Sequence, residues 1–218
     1  MTGHNTSPKS GTGWQMERMA RRVRVPLGFL AAALYLVELA RHAPEPAAVE
    51  WSLALILPGL WLRAYASGYV KKNRELTQTG PYAHVRNPLY LGSILIAAGF
   101  AAALLSWLFA LYLAAMFALI YIPVIASEER FLRGAFPDFD AYCRRVPRLI
   151  PRLTPARPPV QSPSPQDSLE VAPTTAGKFS LTLYLQHREY NSLIGAGLLY
   201  FSLVYLHPVL EAILHGVR

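Results

Sequence analysis

Residues 84–92 read HVRNPLYLG. A basic loop, KKNRELTQTGPYAHVR (71–86), precedes the helix they begin, and an apolar run to Leu105 follows. Asn87 is a favoured N-cap residue and Pro88 a favoured first helical residue. The stretch is therefore a helix N-terminus, set where the chain passes from charged loop into hydrocarbon-compatible sequence. Arg86 and Tyr90 flank that start, and both suit the headgroup level of a bilayer. A helix N-terminus beside an arginine also suits a carboxylate or phosphate. Gly92, one turn on, admits either a flat group or a second helix. On these residues alone, an interface anchor and a binding site both stay open.

Outward from this point the chain repeats the same grammar. A spanning helix needs roughly 20 apolar residues, somewhat fewer if its flanks snorkel. Candidate spans are Val25–Ala40, Trp51–Tyr69 (interrupted by Arg63), Pro88–Leu105 and Trp107–Ala126. Almost nothing separates the last two, which predicts an antiparallel hairpin turning at Ser106. After Ala126 the sequence becomes charged and aromatic, with Phe131, Leu132 and Ala135 at helical spacing on one side. This predicts an amphipathic extension of the fourth span along the membrane surface. The expected fold is all-α, a polytopic membrane helical bundle with a cytoplasmic helical extension. Its parts are a polar and basic segment (1–24), a core of four transmembrane helices (25–150), a Pro-rich linker (151–177) and a C-terminal apolar helix (178–218). Within the last part, Asn191–Leu206 is a fifth apolar stretch, either spanning or interfacial.

Composition bounds the function classes. The 218 residues are 53% apolar with a mean hydropathy of +0.24, a formal charge of +8 and a pI of about 9.8. The basic residues flank apolar runs, so orientation on an anionic leaflet explains them better than nucleic acid, and no nucleic-acid partner is expected. Arg18, Arg21, Arg22 and Arg24 precede the first span; Lys71, Lys72, Arg74 and Arg86 follow the second; Arg130, Arg133, Arg144, Arg145 and Arg148 follow the fourth. Under strict alternation these clusters share one side, which the positive-inside rule makes cytoplasmic. Cys143 is the single cysteine, so there is no intrachain disulfide and no thiolate zinc cluster. The six histidines are scattered without helical ligand spacing, and no metal site is expected. The first apolar run lacks a small-residue cleavage site and reads as a retained span.

A hairpin returns both outer ends of its helices to one face. Glu128 and Glu129, at the end of the fourth span, are thus expected near Arg86 and Tyr90. Glu128 shares a helical face with Phe117, Tyr121, Val124, Phe131 and Leu132, and a carboxylate there calls for a cationic partner. Glu129 has Arg133 at i+4, a spacing that also fits a plain surface ion pair. Together these groups offer anion donors, a carboxylate pair and aromatic walls.

GPYAHVRNPLYLG, followed after a helical hairpin by EERFLRGAFPDFDAYCRRVPRLIP, resembles the isoprenylcysteine carboxyl methyltransferase and phospholipid N-methyltransferase superfamily over about residues 59–151. The likeness lies in ordered parts: Gly-Pro-Tyr, Arg-x-Pro-x-Tyr-x-Gly, Glu-Glu, then Tyr with Val-Pro and Ile-Pro. Asn87 stands where many members have His. The resemblance implies an integral membrane enzyme that uses S-adenosylmethionine. It implies that His84, Arg86, Pro88, Tyr90 and Gly92 line the cofactor site. It implies that Glu128 and Glu129 hold the cofactor's ammonium or position substrate, and that Tyr142 and Arg145 help close the site. Arg86, Glu128 and Glu129 are the expected catalytic set.

Methyl transfer from a sulfonium needs alignment and exclusion of water rather than a triad or a metal. The expected acceptor is a lipidic or prenylated molecule reaching the site from the bilayer, for carboxylate O-methylation or amine N-methylation. Two rivals are an NADPH-dependent membrane lipid reductase and a non-catalytic membrane adaptor. The second would use PARPPVQSPSP (155–165) as a polyproline II ligand.

Overall fold

The computed structural model of the chain describes residues 11–41, 43–71, 75–156 and 177–216, with side chains over 26–209 of these. Lys72, Arg74, the side chains of Arg18, Arg21, Arg22 and Arg24, and linker residues 157–176 lie outside the described residues. Among the described residues seven α-helices run in chain order: α1 Gly11–Arg41, α2 Pro46–Ser67, α3 Pro88–Leu104, α4 Trp107–Ala135, α5 Phe139–Arg145, α6 Leu181–Gln186 and α7 Tyr190–Gly216. A 3-10 turn, Gly80–Ala83, precedes α3. There is no strand among the described residues.

Among the described residues three helices are long and apolar enough to cross a membrane: Pro46–Ser67, Trp107–Ala135 and Tyr190–Val209. The C-terminal stretch that sequence left between spanning and interfacial is thus one of them by length and composition. α3 is apolar but has 17 residues. The expected first span falls inside α1, which also carries Pro26. α2 starts earlier than expected, because Pro46 takes an early helical position and draws residues 46–50 out of the supposed loop. α4 is continuous from the apolar run through the charged extension. Within that extension Leu132 packs inward on the cluster below it, whereas Phe131 stays exposed.

The α3–α4 turn lies at Leu105, whose φ is 49°, and Ser106, whose Oγ accepts from Phe109 N–H at 3.3 Å. The closest pairing of α3 is nevertheless with α2. A Cβ on Gly92 would lie 2.7 Å from Gly59 O and 2.6 Å from Arg63 Cγ. A Cβ on Gly99 would lie 2.5 Å from Ile56 Cγ1. Small residues one heptad apart thus let two backbones meet where lipid gives no hydrophobic drive to association. At the α3–α4 turn end of the bundle, Tyr35, Leu39, Ile56, Phe100, Ala103, Phe109 and Leu203 join α1, α2, α3, α4 and α7 in one core. Tyr35 Oη donates to Leu199 O at 3.1 Å, fastening α1 to α7.

Arg63 fastens the opposite half. Its guanidinium donates to Glu189 Oε1 (3.1 Å) and Oε2 (2.8 Å), to Ser192 Oγ (3.2 Å), to Leu89 O (3.1 Å) and to Ser93 Oγ. Three helices, α2, α3 and α7, therefore converge on one charge. Just beyond, Phe179 stacks on Tyr65 at 6.1 Å and Ser180 N–H donates to Gly68 O at 2.9 Å, seating the chain that enters α6 on the end of α2.

Two outcomes follow from this packing. Gly92→Ala must force α2 and α3 apart and lose about 1–3 kcal/mol, whereas Gly134→Ala, with open space around it, leaves thermal unfolding in detergent unchanged. Arg63→Ala and Glu189→Ala each strand a partly buried charge and cost about 3 kcal/mol. The double variant costs no more than the worse single, a coupling that a double-mutant cycle reads directly.

Candidate functional site

The basic end of the bundle gathers the start of α3, the end of α4, α5 and the strap of chain after α5. Asn87 occupies the N-cap position of α3, but its side chain makes no capping bond. Its Nδ2 donates instead to Arg148 O at 3.2 Å. The helix starts at Pro88 as the sequence indicates, while Asn87 ties that start to the strap.

Glu129 is the central group. It is 8% exposed and accepts from two arginines. Arg86 Nη1 lies 3.0 Å from Oε1, and Arg148 donates through Nε to Oε1 at 2.9 Å and through Nη2 to Oε2. The i+4 surface pair considered for Glu129 does not form; Arg133 pairs with Asp140 at 2.8 Å instead. Rotation of about 100° per residue sends the adjacent Glu128 to a different side of α4. Glu128 is exposed and accepts from Tyr90 Oη at 2.8 Å. The ring of Tyr90 lies 4.8 Å from that of Tyr121, which meets Phe117 edge-on at 4.7 Å.

Arg86 also donates from Nη1 to Cys143 Sγ at 2.8 Å. Its Nε is buried with no hydrogen-bond partner among the described residues. The expected proximity of Arg86, Tyr90, Glu128 and Glu129 is therefore seen, but with the two glutamates in separate pairings.

The remaining expected residues take varied places. His84 Nδ1 donates to Arg152 O at 2.8 Å, so the ring is held by the strap. Pro88 is buried at the first turn of α3. Gly92 faces α2, which selects the second of the two uses open to it. Tyr142 is buried and donates to Tyr82 O at 2.8 Å. Burial pushes both phenols well above their ordinary range, so they stay neutral. Arg145 reaches Gln78 Oε1 at 3.0 Å. Tyr142 and Arg145 thus brace the floor of this end, joining α5 to the segment before α3.

Sequence reasoning did not assign Arg148, Arg63 or Glu189 to any partner. A charged residue within a spanning helix, Arg63, was the available signal. For Arg148 there was none, because its partner lies across a loop of no regular period. Among the described residues no three His, Cys, Asp or Glu side chains converge as a metal site.

An apolar cleft of about 430 Å³ opens between α3 and α4, lined by Ile94, Ala98, Ala102, Ala110, Ala114 and Phe117 among others. Phe117 belongs both to this cleft and to the aromatic row that ends at Tyr90 and Glu128.

The chain is similar to known proteins over part of its length. Two curated proteins are each 44% identical over 88 residues, which is 40% of this chain and 40% of theirs. They are the cobalt-zinc-cadmium resistance protein CzcN of Cupriavidus metallidurans and the nickel-cobalt-cadmium resistance protein NccN of Alcaligenes xylosoxydans xylosoxydans. The matched part thus spans well under half the length of these relatives. No solved structure matches the chain. The model of the phospholipid methyltransferase family matches residues 52–138, from within α2 to the residue before α5. Residues 52–138 of this all-helical, membrane-type chain are thus similar to the phospholipid methyltransferase family.

Proposed function

We propose that the chain is an integral membrane, S-adenosylmethionine-dependent methyltransferase whose site faces the cytoplasm and whose acceptor is a lipidic or prenylated molecule. One observation carries the reading. Glu128 paired to Tyr90 and Glu129 paired to Arg86 join the start of α3 to the same turn of α4, and Arg86 Nε is a buried donor with no partner among the described residues. A carboxylate and a guanidinium donor at the α3 N-terminus match the ammonium and carboxylate of an amino acid. The Tyr90 and Tyr121 rings offer faces for a cation or a flat base. These residues fit S-adenosylmethionine, which supplies a methyl carbon on a positively charged sulfur.

Tyr90 holds Glu128 in position, so the carboxylate orients its ligand without searching rotamers. Glu129 is committed to Arg86 and Arg148 and acts by placing Arg86. The donor set contains no nucleophile–base pair, and in-line displacement at a methyl carbon requires only alignment and exclusion of water. A carboxylate acceptor attacks as it stands. An amine acceptor must be neutral, and its proton leaves to water at the exposed side of Glu128. The α3–α4 cleft gives a hydrocarbon tail an apolar seat that ends at the same aromatic row. The two relatives are named for metal resistance. That wording describes them, and the guanidinium, carboxylate and aromatic donor set carries the reading for this chain.

Calorimetry of the detergent-purified protein checks the cofactor. Glu128→Gln is expected to weaken S-adenosylmethionine binding about tenfold, the discounted worth of one exposed charged hydrogen bond, with unchanged thermal unfolding. Undiminished binding in that variant sinks the assignment, and binding of NADPH instead moves it to the reductase. Glu129→Gln behaves differently: it leaves two arginines under-compensated and lowers stability by about 3 kcal/mol, read as an earlier melting transition by circular dichroism.

A further inference from the structure

The chain after α5 does not simply leave the bundle. From Pro147 to Ala156 it runs alongside residues 83–87 and bonds to them at three backbone points. Arg86 N–H donates to Pro147 O, Arg152 N–H to His84 O and Ala156 N–H to Ala83 O, each at 2.9 Å. Val146 is buried in the Phe139–Tyr142 cluster at one end of this strap, and Ala156 packs on the same cluster at the other. Its conformation is therefore fixed at both ends.

Between those ends two large apolar side chains point away from the protein. Ile150 is 80% exposed and Leu153 is 99% exposed. A lone exposed leucine is ordinary. Here two sit on one braced strap, against the loop residues Ala83 and His84 that lead into α3. Arg152, whose Nη1 also donates to Arg145 O, is exposed between them, and Arg144 is exposed on α5. Pro147, Pro151 and Pro155 have no N–H to leave unsatisfied, and the N–H groups of Arg152 and Ala156 are already donated inward. Five of the ten strap residues therefore bring no free N–H into a headgroup layer.

The geometry points to the strap 148–153 as an interfacial anchor for the anionic leaflet at the basic end of the bundle. Ile150 and Leu153 insert among the upper acyl carbons, and Arg144 and Arg152 meet lipid phosphates. Because Arg148 on the same strap holds Glu129, anionic lipid is coupled to the node that places Arg86. The inference concerns lipid contact and stands apart from the methyl-transfer reading.

Depth measurement on the full chain in vesicles tests it. A nitroxide is placed at Leu153→Cys in a Cys143→Ser background, with Thr154→Cys as the neighbouring reference. In phosphatidylcholine–phosphatidylglycerol vesicles, position 153 is expected to be open to oxygen and shielded from a water-soluble nickel chelate, and position 154 less so. Arg152→Gln, or phosphatidylcholine alone, is expected to lower the oxygen-to-nickel ratio at 153 about fivefold, the partitioning effect of one interfacial arginine. Nickel access at 153 equal to that at 154 overturns the anchor and leaves the strap facing water or a soluble partner. Equal depth in both lipids overturns the anionic recognition. Leu153→Trp in the otherwise unaltered chain gives a second reading: lipids brominated high on the acyl chain must quench the added emission, and failure to quench overturns the proposal.

Discussion

The basic end of this molecule depends on one carboxylate. Glu129 is nearly buried, and an isolated buried charge is too costly to keep. Two guanidiniums answer it, one from the residue two before α3 and one from the strap after α5. Each arginine is itself held: Arg86 by the backbone bond to Pro147, and the backbone of Arg148 by Asn87. Three segments far apart in sequence are thereby locked together by the requirement that a charge not be left alone. The lock also divides the labour of the glutamate pair. With Glu129 engaged, Glu128 is the carboxylate turned outward, and Tyr90 holds it there.

A second charge has the same logic deeper in the bundle. Arg63 sits on a helix long and apolar enough to span, where an unpaired guanidinium is expensive. Its donors are answered from α3 and α7 together. α7 lies outside the part of the chain that matches the phospholipid methyltransferase family, yet Glu189, the residue before it, supplies the countercharge to the arginine that holds the first turns of α3. The C-terminal helix thus packs in one unit with the family-matched segment. The two faces of α3 differ accordingly. Toward α2, glycines and a guanidinium are packed to contact; toward α4, alanines leave an apolar cleft.

Much of this was legible before any coordinates. Pro88 as a helix start, the Leu105–Ser106 turn, the all-helical class and the nearness of Arg86, Tyr90 and the glutamate pair follow from local rules: favoured first-turn residues, apolar run length and the return of a hairpin. The boundary of α2 was misplaced because a proline can open a helix inside an otherwise polar stretch. The capping role given to Asn87 failed because Arg148 O competed for its side chain. The use of Gly92 was undecided because a missing Cβ says that something approaches, not what.

The sequence by itself determined where helices run, which end is basic and which residue types meet there, because period, run length and charge are properties of neighbouring residues. Tertiary structure alone decided which arginine answers which carboxylate, and so which glutamate is spent on the fold and which faces outward. Those pairings join Glu129 to Arg148 and Arg63 to Glu189 across loops and linkers with no regular period. Their selection depends on the distance and desolvation of charges after packing, and no local pattern in the chain encodes either quantity.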